Sequence, residues 1–158
     1  MDALAKEIGA RLKTAGAKLV TAESCTGGWA AQVVTSVAGS SAWFERGFVT
    51  YSNEAKQESL GVRAETLHKH GAVSEETARE MAQGALRHSK GTVAVSVTGV
   101  AGPGGGTAQK PVGMVCFAWA TARGARSETR QFSGDREAVR RQSVIHALEG
   151  VINTLDAG

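Results

Sequence analysis

The stretch KLVTAESCTGGWAAQVV, residues 18–34, joins a short apolar segment to an apolar helical segment through a turn that carries a serine and two glycines. The segment before the turn is β-prone, and Gly27 and Gly28 let the backbone approach a ligand closely. Amide groups left free at the start of a helix can hold an anion or an oxyanion beside the Ser24 hydroxyl. The stretch therefore predicts a strand–turn–helix unit with a candidate nucleophile on the turn. An ordinary turn capped by serine or threonine is the alternative.

Strands and helices alternate on both sides of this unit. Leu4, Ile8 and Leu12 recur every four residues and the pattern stops at Gly16, which predicts an amphipathic first helix with a glycine cap. Strands are expected at residues 18–21, 44–51, 92–98, 112–121 and 126–132, and further helices at residues 26–37, 54–60, 75–88 and 136–155. Only four residues separate the last two strands, the length of a hairpin loop, whereas helices separate the first three strands from one another. We therefore predict an α/β fold with a mixed sheet between layers of helices.

Composition favours one globular domain over residues 1–158, since the chain is 42% hydrophobic. The formal net charge of +3 is modest, and the basic residues are not interleaved with aromatic ones. This pattern argues against direct binding to nucleic acid and fits a small anionic substrate. Cys25 and Cys116 lie far apart and no secretory signal precedes them, so free thiols in a reducing cytoplasm are expected. No apolar run reaches the ~18 residues that a bilayer requires, and no membrane contact is expected.

A serine nucleophile needs a base, and lysine is the type of base that the sequence offers. Lys56 follows a strand end, on the first turn of a helix that Asn53 can cap, where desolvation and the helix dipole would both lower its pKa. A solvated lysine on a polar helix is the alternative. Tyr51 can orient the serine, the lysine or the substrate, or it can pack on the strand with its hydroxyl in water. The histidines lie in polar helical or turn segments without metal-ligand spacing, so no metal site is expected: His68, His70, His88 and His146.

Two later segments are candidates for binding an anion. The glycine-rich stretch TGVAGPGGG, residues 98–106, follows an apolar strand and can turn its amides towards a phosphate, although a mobile loop without a ligand is the alternative. It matches neither a Walker motif nor a dinucleotide fingerprint. The start of the last helix brings Arg136, Arg140 and Arg141 together behind a cap at Asp135. This cluster suits phosphate recognition, or it is a solvated face paired with Glu137.

The segments TAESCTGG, FERGFVTYSNEAK, GAVSEETAREMA, SVTGVAGPGGG, KPVGMV and FSGDREAVRRQ follow one another over nearly the whole chain. In this combination and order the chain resembles the CinA carboxyl-terminal family. The resemblance implies a three-layer α/β/α sandwich with a mixed, mostly parallel five-stranded sheet. It also implies an enzyme without a cofactor that hydrolyses the carboxamide of nicotinamide mononucleotide (NMN) to nicotinate mononucleotide and ammonia. A non-enzymatic partner of the competence and DNA-damage machinery is the alternative function.

By this resemblance the family's nucleophile falls on Ser24, its lysine base on Lys56 and its tyrosine on Tyr51. The amides of residues 25–28 are expected to form an oxyanion hole. Residues expected to bind the substrate are Cys25, Thr26, Gly27, Gly28, Asn53, Thr98, Gly99, Gly102, Gly104, Arg136, Arg140 and Arg141. The stretch around Trp43 and Phe44 is expected to be exposed and to form an intersubunit patch, which predicts a homo-oligomer of two or more subunits.

Overall fold

A computed structural model describes residues 1–158, which form five strands and six α-helices. The helices are α1 (Asp2–Ala15), α2 (Trp29–Thr35), α3 (Asn53–Leu60), α4 (Ala64–His70), α5 (Glu75–Arg87) and α6 (Arg136–Ala157). The strands are β1 (Leu19–Glu23), β2 (Phe44–Val49), β3 (Val93–Gly99), β4 (Met114–Thr121) and β5 (Gly124–Gln131).

The five strands form one sheet in the order β2-β1-β3-β4-β5. Strand β1 runs parallel to β2 and β3, whereas β4 is antiparallel to both β3 and β5. All strands except β4 therefore point in the same direction. The predicted α/β fold with a mixed, mostly parallel sheet is confirmed.

Helices cover both faces of the sheet, and each face has its own core. On one face α1, α2 and α6 pack against alternate strand residues such as Leu19 and Phe117. On the other face α3, α4 and α5 pack against the intervening residues, such as Val20 and Ala118. Every residue of β1 is buried. A central strand covered on both faces is expected to be apolar, so the polar residues at its carboxyl end are exceptional.

Several boundaries differ from the sequence-based expectations. Strand β1 continues to Glu23, and α2 begins only at Trp29 because Gly27 (φ 59°) and Gly28 (φ 102°) adopt left-handed conformations that keep the turn out of the helix. Strand β2 ends at Val49, before Tyr51. Helix α3 begins at Asn53, but its cap is Ser52, whose hydroxyl accepts a hydrogen bond from the Ala55 amide. The prediction that Asn53 caps this helix is wrong.

Two further features were not anticipated. Helix α4 was not predicted, because it is only seven residues long and buries only Thr66 and Leu67. The expected exposure of Trp43 is wrong, since this residue is only 2% exposed. Its indole ring packs on Gly9, where a Cβ atom would lie 2.7 Å from the ring. Trp43 therefore belongs to the core and offers no intersubunit patch. None of the helices combines the length and the apolar character needed to cross a bilayer.

Candidate active site

The chain passes from β1 to β2 on one side and later enters β3 on the other side of β1. The turn after β1 therefore lies at the point where the strand order reverses. The Ser24 amide donates to the Val97 carbonyl of β3, and the Glu23 carbonyl accepts from the Thr50 amide that follows β2 (2.9 and 2.8 Å). Both neighbouring strands thus fix the turn at their carboxyl ends, the usual ligand-binding edge of an open α/β sheet.

The alternation of side chains along β1 determines which helix each residue of the turn meets. Successive side chains point to opposite faces. Glu23 accordingly reaches the amino terminus of α2 on one face, and Ser24 reaches Lys56 of α3 on the other. The turn around Ser24 therefore has the Glu23 carboxylate on the face that carries α2 and the Lys56 amine on the face that carries α3.

Lys56 is a buried lysine in direct contact with the candidate nucleophile. Its side chain is 1% exposed, and its Nζ donates to Ser24 Oγ at 2.9 Å and to the Thr50 carbonyl at 2.8 Å. Burial lowers the pKa of Lys56 from its ordinary value of 10.5 to about 8, because the ammonium has lost water. No carboxylate pairs with it. An amine with this pKa can accept a proton from serine near neutral pH.

Cys25 follows the serine directly but has the wrong chemistry for a nucleophile. Burial raises the pKa of the Cys25 thiol to about 12, and the nearby Glu23 carboxylate also raises it. Only a thiolate attacks efficiently, so a thiol with this pKa is inert near neutral pH. Burial therefore has opposite consequences for the two groups: it increases the neutral fraction of the Lys56 amine near neutral pH and keeps the Cys25 thiol protonated.

Glu23 holds the nucleophile turn from the side of α2. Its carboxylate accepts hydrogen bonds from the Thr26 hydroxyl (2.6 Å), the Ala30 amide (2.9 Å) and the Ala31 amide (3.1 Å). A carboxylate at a helix amino terminus satisfies free amides and interacts favourably with the helix dipole. Sequence reasoning missed Glu23. The available signal was a lone carboxylate at the end of an otherwise apolar strand, one residue before the serine and just ahead of a helix.

Arg140 holds the same turn from the side of α6. Its Nε donates to the Cys25 carbonyl at 3.0 Å and its Nη2 to the Thr26 carbonyl at 3.1 Å, while its guanidinium lies 5.4 Å from the centre of the Trp29 ring. Among the turn amides, that of Gly27 donates to the Ser24 carbonyl. The amides of Cys25, Thr26 and Gly28 have no partner within the chain. The hydrogen-bonding capacity of these three N–H groups is therefore unused, and they lie in a turn of which Thr26 is fully buried.

Tyr51, Gly102 and Arg136 meet at the outer rim of the site. Arg136 donates to the Gly102 carbonyl at 2.8 Å and to the Tyr51 hydroxyl at 3.2 Å. Tyr51 is 63% exposed and makes no hydrogen bond to Ser24 or Lys56. Arg136 thus links the glycine-rich loop to the segment between β2 and α3.

The other residues expected to bind substrate have different surroundings. The Thr98 hydroxyl donates to the Ala72 carbonyl, and a Cβ at Gly99 would lie 2.7 Å from the Val115 side chain, so both positions serve packing around β3. Gly104 is open, with no atom within 4 Å of the position of a Cβ. Asn53 is exposed on the first turn of α3. Arg141 pairs with Glu137 at 3.9 Å and lies over the outer edge of Trp29.

The structure thus brings Ser24, Lys56, the turn amides and Arg140 together, with Tyr51, Gly102 and Arg136 at the rim. It gives Thr98 and Arg141 partners outside this group. No three histidine, cysteine, aspartate or glutamate side chains converge in an arrangement that could hold a metal ion.

Comparison with known proteins identifies relatives over nearly the whole length. The chain is 60% identical over 147 residues to the nicotinamide-nucleotide amidohydrolase PncC of Escherichia coli K12, which covers 92% of this chain and 89% of the relative. It is 52% identical to PncC of Pseudomonas putida over 149 residues, 94% of this chain and 93% of the relative. The crystal structure of the competence/damage inducible protein CihA from Agrobacterium tumefaciens superimposes with a TM-score of 0.94 at 47% identity, covering 98% of this chain and 94% of that one. The family model described as the CinA C-terminal domain matches residues 1–155, and the chain belongs to this family.

Proposed function

We propose that the chain hydrolyses the carboxamide of NMN to nicotinate mononucleotide and ammonia, with Ser24 as the nucleophile and Lys56 as the base. The observation that carries this proposal is the 2.9 Å contact between Lys56 Nζ and Ser24 Oγ in a buried site where no carboxylate neutralises the lysine. The substrate follows from the names of the PncC relatives, which share 52–60% of their residues with this chain over most of its length.

The first half of the reaction forms an ester on Ser24. The neutral amine of Lys56 donates one hydrogen to the Thr50 carbonyl, which directs its lone pair to the Ser24 hydroxyl. As Ser24 Oγ attacks the carboxamide carbon, Lys56 takes the hydroxyl proton, and the free turn amides donate hydrogen bonds to the oxygen on which negative charge develops. Lys56 then gives its proton to the amide nitrogen, which leaves as ammonia. The carbonyl carbon remains bound to Ser24.

The second half regenerates the enzyme with water. Lys56 is again neutral after ammonia has left, so it can take a proton from a water molecule as that water attacks the ester. Collapse of the second tetrahedral intermediate breaks the bond to Ser24 Oγ, and the proton returns from Lys56 to the serine. The product is the free carboxylate of nicotinate mononucleotide.

The substrate phosphate is placed at the rim in this proposal. Arg136 is an exposed guanidinium beside the glycine-rich loop, and the amides of Gly102, Gly104, Gly105 and Gly106 have no partner within the chain. Free amides and an arginine together suit phosphate recognition. We expect Arg136→Ala to raise KM for NMN roughly ten- to a hundredfold. The same change should leave hydrolysis of nicotinamide riboside, which lacks the phosphate, nearly unaltered, as should the control Arg130→Ala with NMN.

The function is tested by incubating the purified chain with NMN in the presence of a metal chelator. Ammonia is measured enzymatically and nicotinate mononucleotide by chromatography. We expect the two products to appear in equal amounts. Lys56→Arg should release neither, because a guanidinium remains protonated and cannot take the serine proton, whereas the exposed Lys69→Arg should behave as wild type. Failure of the wild-type chain to release ammonia would refute the proposed activity.

A further inference from the structure

Arg140 is bound to the nucleophile turn. The Nε and Nη2 edge of the guanidinium, one of the two edges that can hold a phosphate in a bidentate manner, is occupied by the Cys25 and Thr26 carbonyls. Arg140 also packs against Trp29 at the start of α2. This geometry is that of a side chain that fixes the backbone.

The orientation of two peptide groups follows from these bonds. In a trans peptide the carbonyl and the following amide point in opposite directions. The Ser24 carbonyl is occupied by the Gly27 amide and the Cys25 carbonyl by Arg140, which leaves the amides of Cys25 and Thr26 free on the opposite side. Arg140 approaches from the face of the sheet that carries α6, and Lys56 approaches from the other face. The Thr26 amide therefore points away from Arg140, towards the side from which Lys56 reaches Ser24.

We infer that Arg140 is a positioning residue for acyl transfer, which holds the Ser24–Gly28 turn so that the Cys25 and Thr26 amides form the oxyanion hole. The inference rests on the proposed amidohydrolase function and adds a role for a residue that does not touch the substrate. Glu23 supports the same turn, since its carboxylate accepts hydrogen bonds from the Thr26 hydroxyl and two amides of α2. The turn is thereby held by an anion and a cation that bind different groups of it. The guanidinium on the Cys25 carbonyl also strengthens the Thr26 amide, which belongs to the same peptide group, as a hydrogen-bond donor.

The test compares Arg140→Ala and Arg140→Lys with wild type, using NMN and nicotinamide riboside as substrates. Loss of a single oxyanion donor costs on the order of 10²–10³ in kcat, so a loosened hole should cost roughly 10- to 100-fold. We expect kcat to fall by this factor for both substrates in Arg140→Ala, with KM changed less than about threefold. Arg140→Lys should lose less, because it keeps one charged donor. The pH midpoint set by Lys56 should not move, whereas a general distortion of the site would shift it.

Arg126→Ala provides the matched control. Like Arg140, Arg126 donates to a backbone carbonyl and lies over a tryptophan ring, but its partners are the Gly150 carbonyl of α6 and Trp119, at the opposite end of the sheet. It should keep wild-type kinetics. An increase in KM for NMN alone in Arg140→Ala, with riboside hydrolysis unchanged, would overturn the inference and make Arg140 a phosphate ligand. Unchanged kcat in Arg140→Ala would also overturn it. Both results require an active wild-type enzyme, so they are distinct from a failure of the proposed function, in which wild type itself releases no ammonia.

Discussion

In the proposed mechanism the chemistry depends on Lys56, which is a buried cation that is not paired with an anion. Its ammonium reaches only two oxygen atoms, the Ser24 hydroxyl and the Thr50 carbonyl. Neither carries a charge that would stabilise the protonated form. Desolvation therefore dominates and moves the pKa of Lys56 towards the physiological range, to about 8.

This pKa predicts the pH dependence of the reaction. The base must be neutral to take the serine proton, and the neutral fraction grows as pH rises towards about 8. We expect kcat/KM for NMN to increase roughly tenfold per pH unit well below the midpoint and to level off above it. A pH profile of ammonia release checks this. A profile that is flat between pH 6 and 9 would contradict the role of Lys56 as the base.

The same lysine should reduce the stability of the fold. A fall in the pKa from 10.5 to about 8 corresponds to a cost on the order of 3 kcal/mol at pH 7, partly offset by its hydrogen bonds. We expect Lys56→Met to be more stable than wild type at pH 7 by about 1–2 kcal/mol in urea unfolding, although inactive. The folded state binds the proton more weakly than the unfolded state. The cost is therefore complete below about pH 8 and disappears as pH rises from there towards 10.5.

The advantage of Lys56→Met should accordingly shrink when unfolding is repeated at pH 9.5. The exposed Lys69→Met, on α4, serves as the control and should show no such dependence on pH. A Lys56→Met protein that is less stable than wild type at pH 7 would show that the hydrogen bonds of Lys56 outweigh its desolvation.

At this scale the sequence predicted that Ser24 and Lys56 act together, and the structure places them in contact, but the residues that hold the turn were not predicted. Ser24 and Lys56 stand out because each follows a strand end and begins a turn or helix, where reactive groups are commonly placed. The contacts of Glu23 and Arg140 with the turn were not predicted, because most of their partners are backbone atoms of the turn and of α2. Which backbone groups remain free depends on the three-dimensional path of the turn, which residue types alone do not specify.

At the scale of secondary-structure elements, the position of Lys56 depends on the close approach of α3 to α5. Gly84 of α5 lies against the end of α3, and a Cβ at this position would be 1.9 Å from the Leu60 carbonyl oxygen. A backbone atom cannot rotate away as a side chain can. Any side chain at position 84 would thus push apart the two helices and move the helix that carries Lys56.

We therefore expect Gly84→Ala to destabilise the protein by about 1–3 kcal/mol, although alanine is the better helix former. The activity of the folded fraction should also fall, because displacement of α3 lengthens the Lys56–Ser24 contact. Thermal unfolding and ammonia release measure the two effects. Gln83→Ala, at the exposed neighbouring position, is the control. Wild-type stability and activity in Gly84→Ala would show that α3 is not held at this contact.

Elements with strong periodicity were predictable, and short ones were not. The spacing of Leu4, Ile8 and Leu12 identifies α1, whose buried face includes Ile8 and Leu12. Helix α4 lacks such a pattern because it packs only through Thr66 and Leu67. The end of β2 was placed too late because the apolar character continues to Tyr51, which in the structure lies beyond the strand and is largely exposed.

At the scale of the whole molecule, the sheet order places the site. Strand β1 is an interior strand, with β2 on one side and β3 on the other, and all three are parallel, so the chain segments that follow them meet at one edge. Helices on both faces can then reach the same turn, α3 with Lys56 and α6 with Arg140. The class of fold was predictable from the alternation of strands and helices. The expected homo-oligomer stays a prediction, and the burial of Trp43 removes the patch on which it was based.

The central claim is that Ser24, and not the adjacent Cys25, attacks the carboxamide of NMN. The most direct measurement compares initial rates of ammonia release from NMN by wild type, Ser24→Ala and Cys25→Ala, each shown to be folded by circular dichroism. We predict that Ser24→Ala is inactive because no nucleophile remains, whereas Cys25→Ala retains most of the activity, since the pKa of its thiol is about 12 and the sulfur stays protonated. Ammonia release by Ser24→Ala near the wild-type rate, or its loss in Cys25→Ala alone, would contradict the account.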